Sequence, residues 1–496
     1  MTQKKGMSDI KKWQENKIYT FKDGNKMGSF SNSAIKNMEL FEQKVRVDSN
    51  FDILKRKITM AEKTAGFYFV DGFVQEALVE KLMQFFYSLK PENLKDIDTF
   101  LEVGMPYTEV EKNDSLDEVV KSFLSGMTVV FIDGFDQCIL IDCRTYPMRS
   151  VTEPWKDRVL RGARDGFVET LVHNAALLRR RIRDTNLSLE MFQVGESSKS
   201  DVAVCYISGK ADPNLVSDIK RRIQKIEVEA LTMNLESLAE CLFEHRWIDP
   251  FPKFKYSERP DTAAAALLDG NVVIMVDNSP AVMILPTSVF DMIEEPDDYN
   301  FAPIIGTYLR WSRFVFTMVC MFLTPVWLLL LNNPQWVPEW LQFIMISDEI
   351  TVPVLFQLLI LELSVDGLKM AAVNTPSLLS TPLSVVAGIV VGEYAVSSGW
   401  FNPESMLYMA VVTVGTYSQA SFEMGYAMKF LRIIELILTQ LFGLWGFIAG
   451  VIIVVCTIAF NKTISGRSYV YPVVPFNWGD LKRKIVRLRL PHSYKK

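Results

Sequence analysis

The spacing of apolar positions changes near residue 313. Upstream, charges interrupt every few residues and apolar runs stay short; downstream, the runs lengthen. Residues 314–331 (FVFTMVCMFLTPVWLLLL) carry no charge, close to the roughly 20 residues that cross about 30 Å of hydrocarbon. Further runs follow at 352–363, 382–400, 406–422 and 433–460. Trp336, Trp340 and Trp400 stand where interfacial anchors would. Arg310 and Arg313 precede the first run, and the tail LKRKIVRLRLPHSYKK is basic; both belong on the cytoplasmic side by the positive-inside bias. With the N-terminal region inside as well, the pattern predicts an even number of crossings. Four full spans among five candidate segments satisfy it, with 350–378 re-entrant or interfacial and with Lys429 and Arg432 on the far side.

Before residue 310 the periodicity is mixed. MTVVFIDGFDQCILIDC (127–143) reads as two strands about an Asp133-Gly134 turn, 202–207 as a strand leading to a helix near Pro213, and 272–276 with 281–285 as a further hairpin. In 165–184, Val168, Leu171, Val172, Ala175, Leu178 and Ile182 recur at helical spacing and predict an amphipathic helix. The fold class predicted is an α/β (α+β) cytoplasmic N-terminal domain of two subdomains, followed by an α-helical polytopic membrane domain. The expected segments are a polar flexible arm (1–50), subdomain 1 (51–195), subdomain 2 (196–309), the helical membrane domain (310–462) and a basic cytoplasmic tail (463–496).

Composition narrows the chemistry. The chain has 496 residues, 49% of them hydrophobic, and a net charge of -5; its mean hydropathy of +0.13 is high for a soluble enzyme. The acidic balance argues against nucleic acid. The six cysteines form no CxxC pair and the histidines are only His173, His245 and His492, so neither a disulfide framework nor a metal site is expected. The start of the chain has no apolar core of a signal peptide. Asp-Gly-Phe recurs at 71–73, 133–135 and 165–167, which is turn chemistry. No phosphate-binding loop, nucleophile elbow or zinc-peptidase motif appears, so no cofactor and no enzyme are expected.

Arg179, Arg180, Arg181 and Arg183 crowd the end of the 165–184 helix. Cations there complement the helix dipole, but four guanidinium groups exceed what a cap needs and make them subunit-contact candidates. An acidic stretch such as 294–298 (EEPDD) could answer them.

RGARDGFVETLVHNAALLRRRIRD (161–184), VAVCYI (202–207), DPFPKFKYSERPDTAAAALLDGNVVIMVDNSPAVMILP (249–286) and EEPDDYN (294–300) together resemble the A-subunit family of bacterial spore germinant receptors, over roughly residues 50–490. The segment 371–400 looks closer to a branch encoded with sporulation genes than to the nutrient receptors. The resemblance implies the spore inner membrane as location, with the N-terminal domain in the spore core. It also implies a ring-shaped homo-oligomer, a pentamer, conducting monovalent cations, and a membrane partner related to the receptor B subunits.

For such a pore the residues themselves point to 382–400. Ser384, Gly388 and Gly392 recur every fourth residue, a stripe suited to close helix packing. Val386, Val390 and Glu393 lie on another face, where valine rings would form a dewetting constriction and a glutamate ring would concentrate cations. The plainer alternative is that Gly388 and Gly392 pack within one subunit and Glu393 pairs at the interface. Glu362, Asp366 and Glu435 are rival ionisable residues in apolar runs. A non-conducting scaffold or signalling subunit remains open beside the channel; a secondary transporter would require an internal repeat in the membrane half, and none is visible.

Overall fold

The computed structural model describes residues 30–103, 105–145, 159–243, 249–375 and 388–488. Most of the arm, the end of the tail, and the candidates Ser384 and Val386 lie outside them. Two compact units divide the chain: residues 1–146 with 183–185, and residues 147–182 with 186–496.

The first unit is built on five antiparallel strands in the order β1-β2-β4-β5-β3. These are β1 (Ile53–Met60), β2 (Lys63–Val70), β3 (Val110–Asn113), β4 (Thr128–Ile132) and β5 (Cys138–Ile141). Every residue of β4 is buried, as a short continuous apolar run predicts for a strand covered on both faces. On one face α1 (Ala34–Val45) presents Phe41 to the rings of Tyr68, Phe123 and Phe131, with centroids 5.0, 5.1 and 5.5 Å away. Leu82 and Phe86 of α2 (Glu76–Tyr87) join Phe67, Val130 and Ile132 in a second cluster. Phe123 belongs to α3 (Leu116–Leu124). The polar stretch expected to be a loose arm therefore contributes a core helix, because Phe41 and Val45 recur at helical spacing and are buried.

The second unit begins with an equivalent sheet. Strands β6 (Leu187–Val194), β7 (Ser200–Ile207), β8 (Lys255–Ser257), β9 (Val272–Val276) and β10 (Val282–Leu285) run in the order β6-β7-β9-β10-β8. Its helices are α4 (Leu171–Arg181), α5 (Pro213–Gln224), α6 (Leu235–Leu242) and α7 (Pro260–Leu268). The sheet thus starts at Leu187, and β6 pairs with β7 from Leu187↔Ile207 to Val194↔Ser200.

The likeness of the two sheets extends to single hydrogen bonds. Asn37, fourth in α1, is buried; its amide accepts from Ser31 N at 2.8 Å and donates to Ser31 O at 2.6 Å. Asn174, fourth in α4, does the same with Val168 N and O at 2.8 and 2.6 Å. The aspartate ending the central strand then accepts from the first helical N–H: Asp133 from Ala34 at 3.2 Å, Asp277 from Leu171 at 3.0 Å. Each satisfies one of the donors that a helix start leaves open. The next residue has positive φ in both, Gly134 at 88° and Asn278 at 61°. The Asn174 clasp also explains why α4 starts at Leu171 rather than at Val168: both backbone groups of Val168 are held outside the helix.

The helical region follows. Helices α8 (Val289–Ile293) and α9 (Asp297–Asn300) lead into α10 (Pro303–Asn332), and then α11 (Val354–Asn374), α12 (Pro403–Tyr417), α13 (Phe422–Phe442), α14 (Leu444–Ala459) and α15 (Trp478–Ile485). Among the described residues only α10 is both long and apolar enough to cross a membrane by itself; α14 is apolar but shorter. Within 350–378, Val354–Asn374 is one continuous helix of 21 residues, about 32 Å long at 1.5 Å per residue. Residues 433–460 are a helical hairpin, not one span. The chain reverses at Gly443 (φ 56°), a conformation glycine adopts without steric cost. Gly446 and Gly450 then let α14 lie directly against Leu438 and Glu435 of α13.

Candidate functional site

The second unit holds two clusters of buried charge. One lies at the start of α10. Arg310 and Arg313 are one turn apart, hence on the same face, and both are buried. Between them sits the fully buried Asp298 of α9: it accepts from Arg310 Nε at 3.2 Å and Arg313 Nη1 at 3.1 Å, and pairs with Arg313 Nη2. Gly306 is required here, because a Cβ would strike the Asp298 carbonyl. Arg310 Nη2 reaches Glu294 at 3.0 Å, while its Nη1 donates to the carbonyls of Arg483 and Lys484 at 2.9 Å each. Arg313 Nη1 donates to Ile293 O at 2.8 Å. Lys484 pairs with Asp291 and lies 3.3 Å from Glu294. From the sheet, Lys255 of β8 donates to the carbonyls of Asp291 and Glu294 at 2.8 Å.

The junction therefore ties four elements together through charge: the edge strand β8, the acidic turn, the foot of α10 and the C-terminal α15. Its electrostatics favour the ionised forms of Glu294, Asp291 and Lys484. Burial alone would raise the Glu294 carboxyl, but Lys484, Arg310 and Lys255 outweigh it and hold it at about 2. Asp291 is likewise held low despite burial, mainly by Lys484, and Lys484 is pushed up, its burial outweighed by Asp291 and Glu294. Of the acidic residues that could answer Arg179–Arg183, Glu294, Glu295 and Asp298 are thus engaged with Arg310, Arg313 and Lys484.

The second cluster lies among the long helices. Glu362 of α11 accepts from Arg432 Nε at 2.7 Å, and Lys429 lies 3.4 Å from it and also pairs with Asp366. Arg432 donates as well to the Cys320 carbonyl of α10. Two cations one turn apart on α13 thereby clamp α11 and α10. Lys429 and Arg432, expected on the far side, are both buried in the helix bundle. Lys369 lies over the rings of Tyr417 and Tyr426, 4.8 and 5.2 Å from their centroids. Glu435 is fully buried, and neither of its carboxyl oxygens meets a hydrogen-bond partner among the described residues.

The pore candidates are placed differently. Gly388 and Gly392 lie on a π-helix, Gly388–Tyr394, which also carries Val390 and Glu393. A Cβ on either glycine would meet no atom of the described residues within 4 Å. Glu393 is exposed and has no ion pair among the described residues. Of the four arginines, Arg179 is buried and donates to the Leu187 carbonyl at 3.3 Å, Arg181 pairs with Asp165, and Arg183 is exposed.

A duplicated α/β region joined by a buried ionic junction to a bundle of long apolar helices defines the class, a two-part protein with a mixed N-terminal region and a helical C-terminal one. The model of the Bacillus/Clostridium GerA spore germination protein family matches residues 40–496, and the chain belongs to that family. Stage V sporulation protein AF of Bacillus subtilis (strain 168) is 36% identical over 92% of this chain and 92% of that protein. Spore germination protein KA of the same organism is 27% identical over 90% and 83% of the two chains, and spore germination protein A1 is 26% identical over 91% and 93%. Among solved structures, the N-terminal domain of the A subunit of the Bacillus megaterium spore germinant receptor GerK3 is 22% identical, covering 53% of this chain and 98% of that one with a TM-score of 0.38. The family resemblance drawn from 161–184, 202–207, 249–286 and 294–300 holds.

The sequence reading missed the junction. It took Arg310 and Arg313 as topological flanks, although their spacing, followed by a long uncharged run and preceded by EEPDD, carried the signal of a paired cluster.

Proposed function

We propose that this spore germination family member is a subunit of an oligomeric, cation-conducting complex of the spore inner membrane, with its α/β region in the spore core. Large apolar side chains of the helical region stand uncovered by the chain itself, among them Trp445 (76% exposed), Phe460 (81%) and Val373 (86%). Lipid and neighbouring copies would cover them. The observation that carries the pore reading is the 388–394 segment. A Cβ on its glycines would meet no atom of the described residues within 4 Å and its exposed glutamate has no ion pair among them, whereas Glu362, Asp366, Lys429 and Arg432 on the long helices are bound to one another and Glu435 is buried. In a ring of copies, a pentamer in this reading, Glu393 would gather cations at the mouth of a constriction formed by Val386 and Val390.

The test is conductance of the full chain reconstituted with its B-subunit-like membrane partner. Glu393→Gln is expected to lower cation conductance severalfold. Unchanged conductance and selectivity would take Glu393 out of the pore. The second reading, a non-conducting scaffold that relays a signal to a partner, draws on the junction, where α/β region and helices are fixed to each other by buried charge. Absence of any flux from the reconstituted complex would select it.

A further inference from the structure

Opposite the buried face of α10 that holds Arg310 and Arg313, its first turns form one wall of a cleft of about 480 Å³. Ile304, Tyr308 and Trp311 line it at helical spacing and are exposed by 79, 69 and 52%. Val486 and Arg487, just past α15, form the other wall. The cleft is fixed in place. Arg310 holds the last turn of α15 by two carbonyls, and Arg487 N donates to Thr307 Oγ1 at 3.2 Å. Arg487 Nη2 donates to the Tyr299 carbonyl at 3.0 Å, yet its Nε is buried without a hydrogen-bond partner among the described residues.

We propose that this cleft binds one anionic phospholipid, with an acyl chain against Ile304, Tyr308 and Trp311 and a phosphate oxygen accepting from Arg487. The inference rests on the membrane reading above. Three features select this occupant. The cleft lies at the foot of α10, where charged turns give way to the uncharged run 314–331, and Tyr and Trp favour that headgroup depth. Arg487 brings a positive charge to its wall, and basic pockets at helix feet are suited to anionic headgroups. The middle of an apolar helix from a second copy would offer apolar cover but no free backbone acceptor, since its carbonyls are used internally. Free phosphate would satisfy the donor and leave the apolar wall bare.

The test is native mass spectrometry of the full, delipidated chain in mild detergent, given phosphatidylglycerol or phosphatidylcholine. Expected is one tightly held phosphatidylglycerol, retained about tenfold better than phosphatidylcholine, equivalent to about 1.4 kcal/mol. Arg487→Gln should abolish the preference, and Arg487→Lys should restore only part of it. Ile304→Trp, at an exposed position that leaves folding undisturbed, should reduce retention of both lipids by filling the cleft. Equal retention of the two lipids overturns the proposal, as does retention unchanged in Arg487→Gln and Ile304→Trp. Displacement by inorganic phosphate alone, or a cross-link from Ile304→Cys to a second copy, overturns it in favour of those occupants. Extraction of the wild-type chain from membranes by alkaline carbonate would defeat the membrane reading instead, and is scored separately.

Discussion

The α/β part of the first unit and its counterpart in the second close in the same way. Strand order, antiparallel pairing, the asparagine clasp before α1 and α4, and the aspartate that caps each helix are shared. They differ at the edge strand. Glu111 of β3 lies opposite Leu140 of β5, and Lys255 of β8 occupies the same place opposite Ile284 of β10. Glu111 is exposed; Lys255 is half-buried and holds the acidic turn that grips α10. One scaffold thus serves twice. The second copy alone carries, on its edge strand, the charge that couples it to the helices.

The comparison breaks most violently at Asp298. Asp298→Ala should destabilise the second unit by about 3–5 kcal/mol, because it leaves two buried guanidinium groups without their shared carboxylate. Hydrogen exchange of the full chain should then quicken in α9, the foot of α10 and α15, while β1–β5 keep their protection. Faster exchange spread evenly over both units would mean that the junction does not separate them energetically.

Much of the fold was legible beforehand. The runs TVVFI and VVIMV mark β4 and β9, and Pro213 marks the start of α5. The duplication was not. The tripeptide that recurs in the sequence, Asp-Gly-Phe, appears at Asp71, Asp133 and Asp165, but the structural counterpart of Asp133-Gly134 is Asp277-Asn278. Either glycine or asparagine adopts positive φ there, so identity is lost while geometry is kept. In the helices, the apolar runs marked the bundle but hid its turn at Gly443, because hydropathy does not change where glycine reverses the chain. The ion pairs of Glu362, Lys429 and Arg432 were hidden for another reason: their spacing along one helix shows which charges share a face, not which helix lies opposite.

A second test asks whether the two clasps are equivalent. Asn37→Ala and Asn174→Ala each remove an amide that satisfies both backbone groups of one residue, and each should cost about 1–3 kcal/mol. The expected result is a matched loss of protection at the start of α1 in one variant and of α4 in the other. A much larger effect at Asn174 would show that the second copy relies on its clasp to support the helical region as well, and the equivalence of the repeats would hold only for geometry.

The smallest effect is expected at the edge strands, and it bears most directly on specialisation. Lys255→Met should cost about 1 kcal/mol, since it takes a charged donor from the carbonyls of Asp291 and Glu294, and it should loosen residues 289–300. Glu111→Met, at the matching place in the first repeat, should stay within about 0.5 kcal/mol, as exposed substitutions do. Thermal unfolding of the full chain with local hydrogen exchange distinguishes the pair. Equal small effects would mean that Lys255 is ordinary surface charge, and that the repeats diverge through the acidic turn and α10 alone.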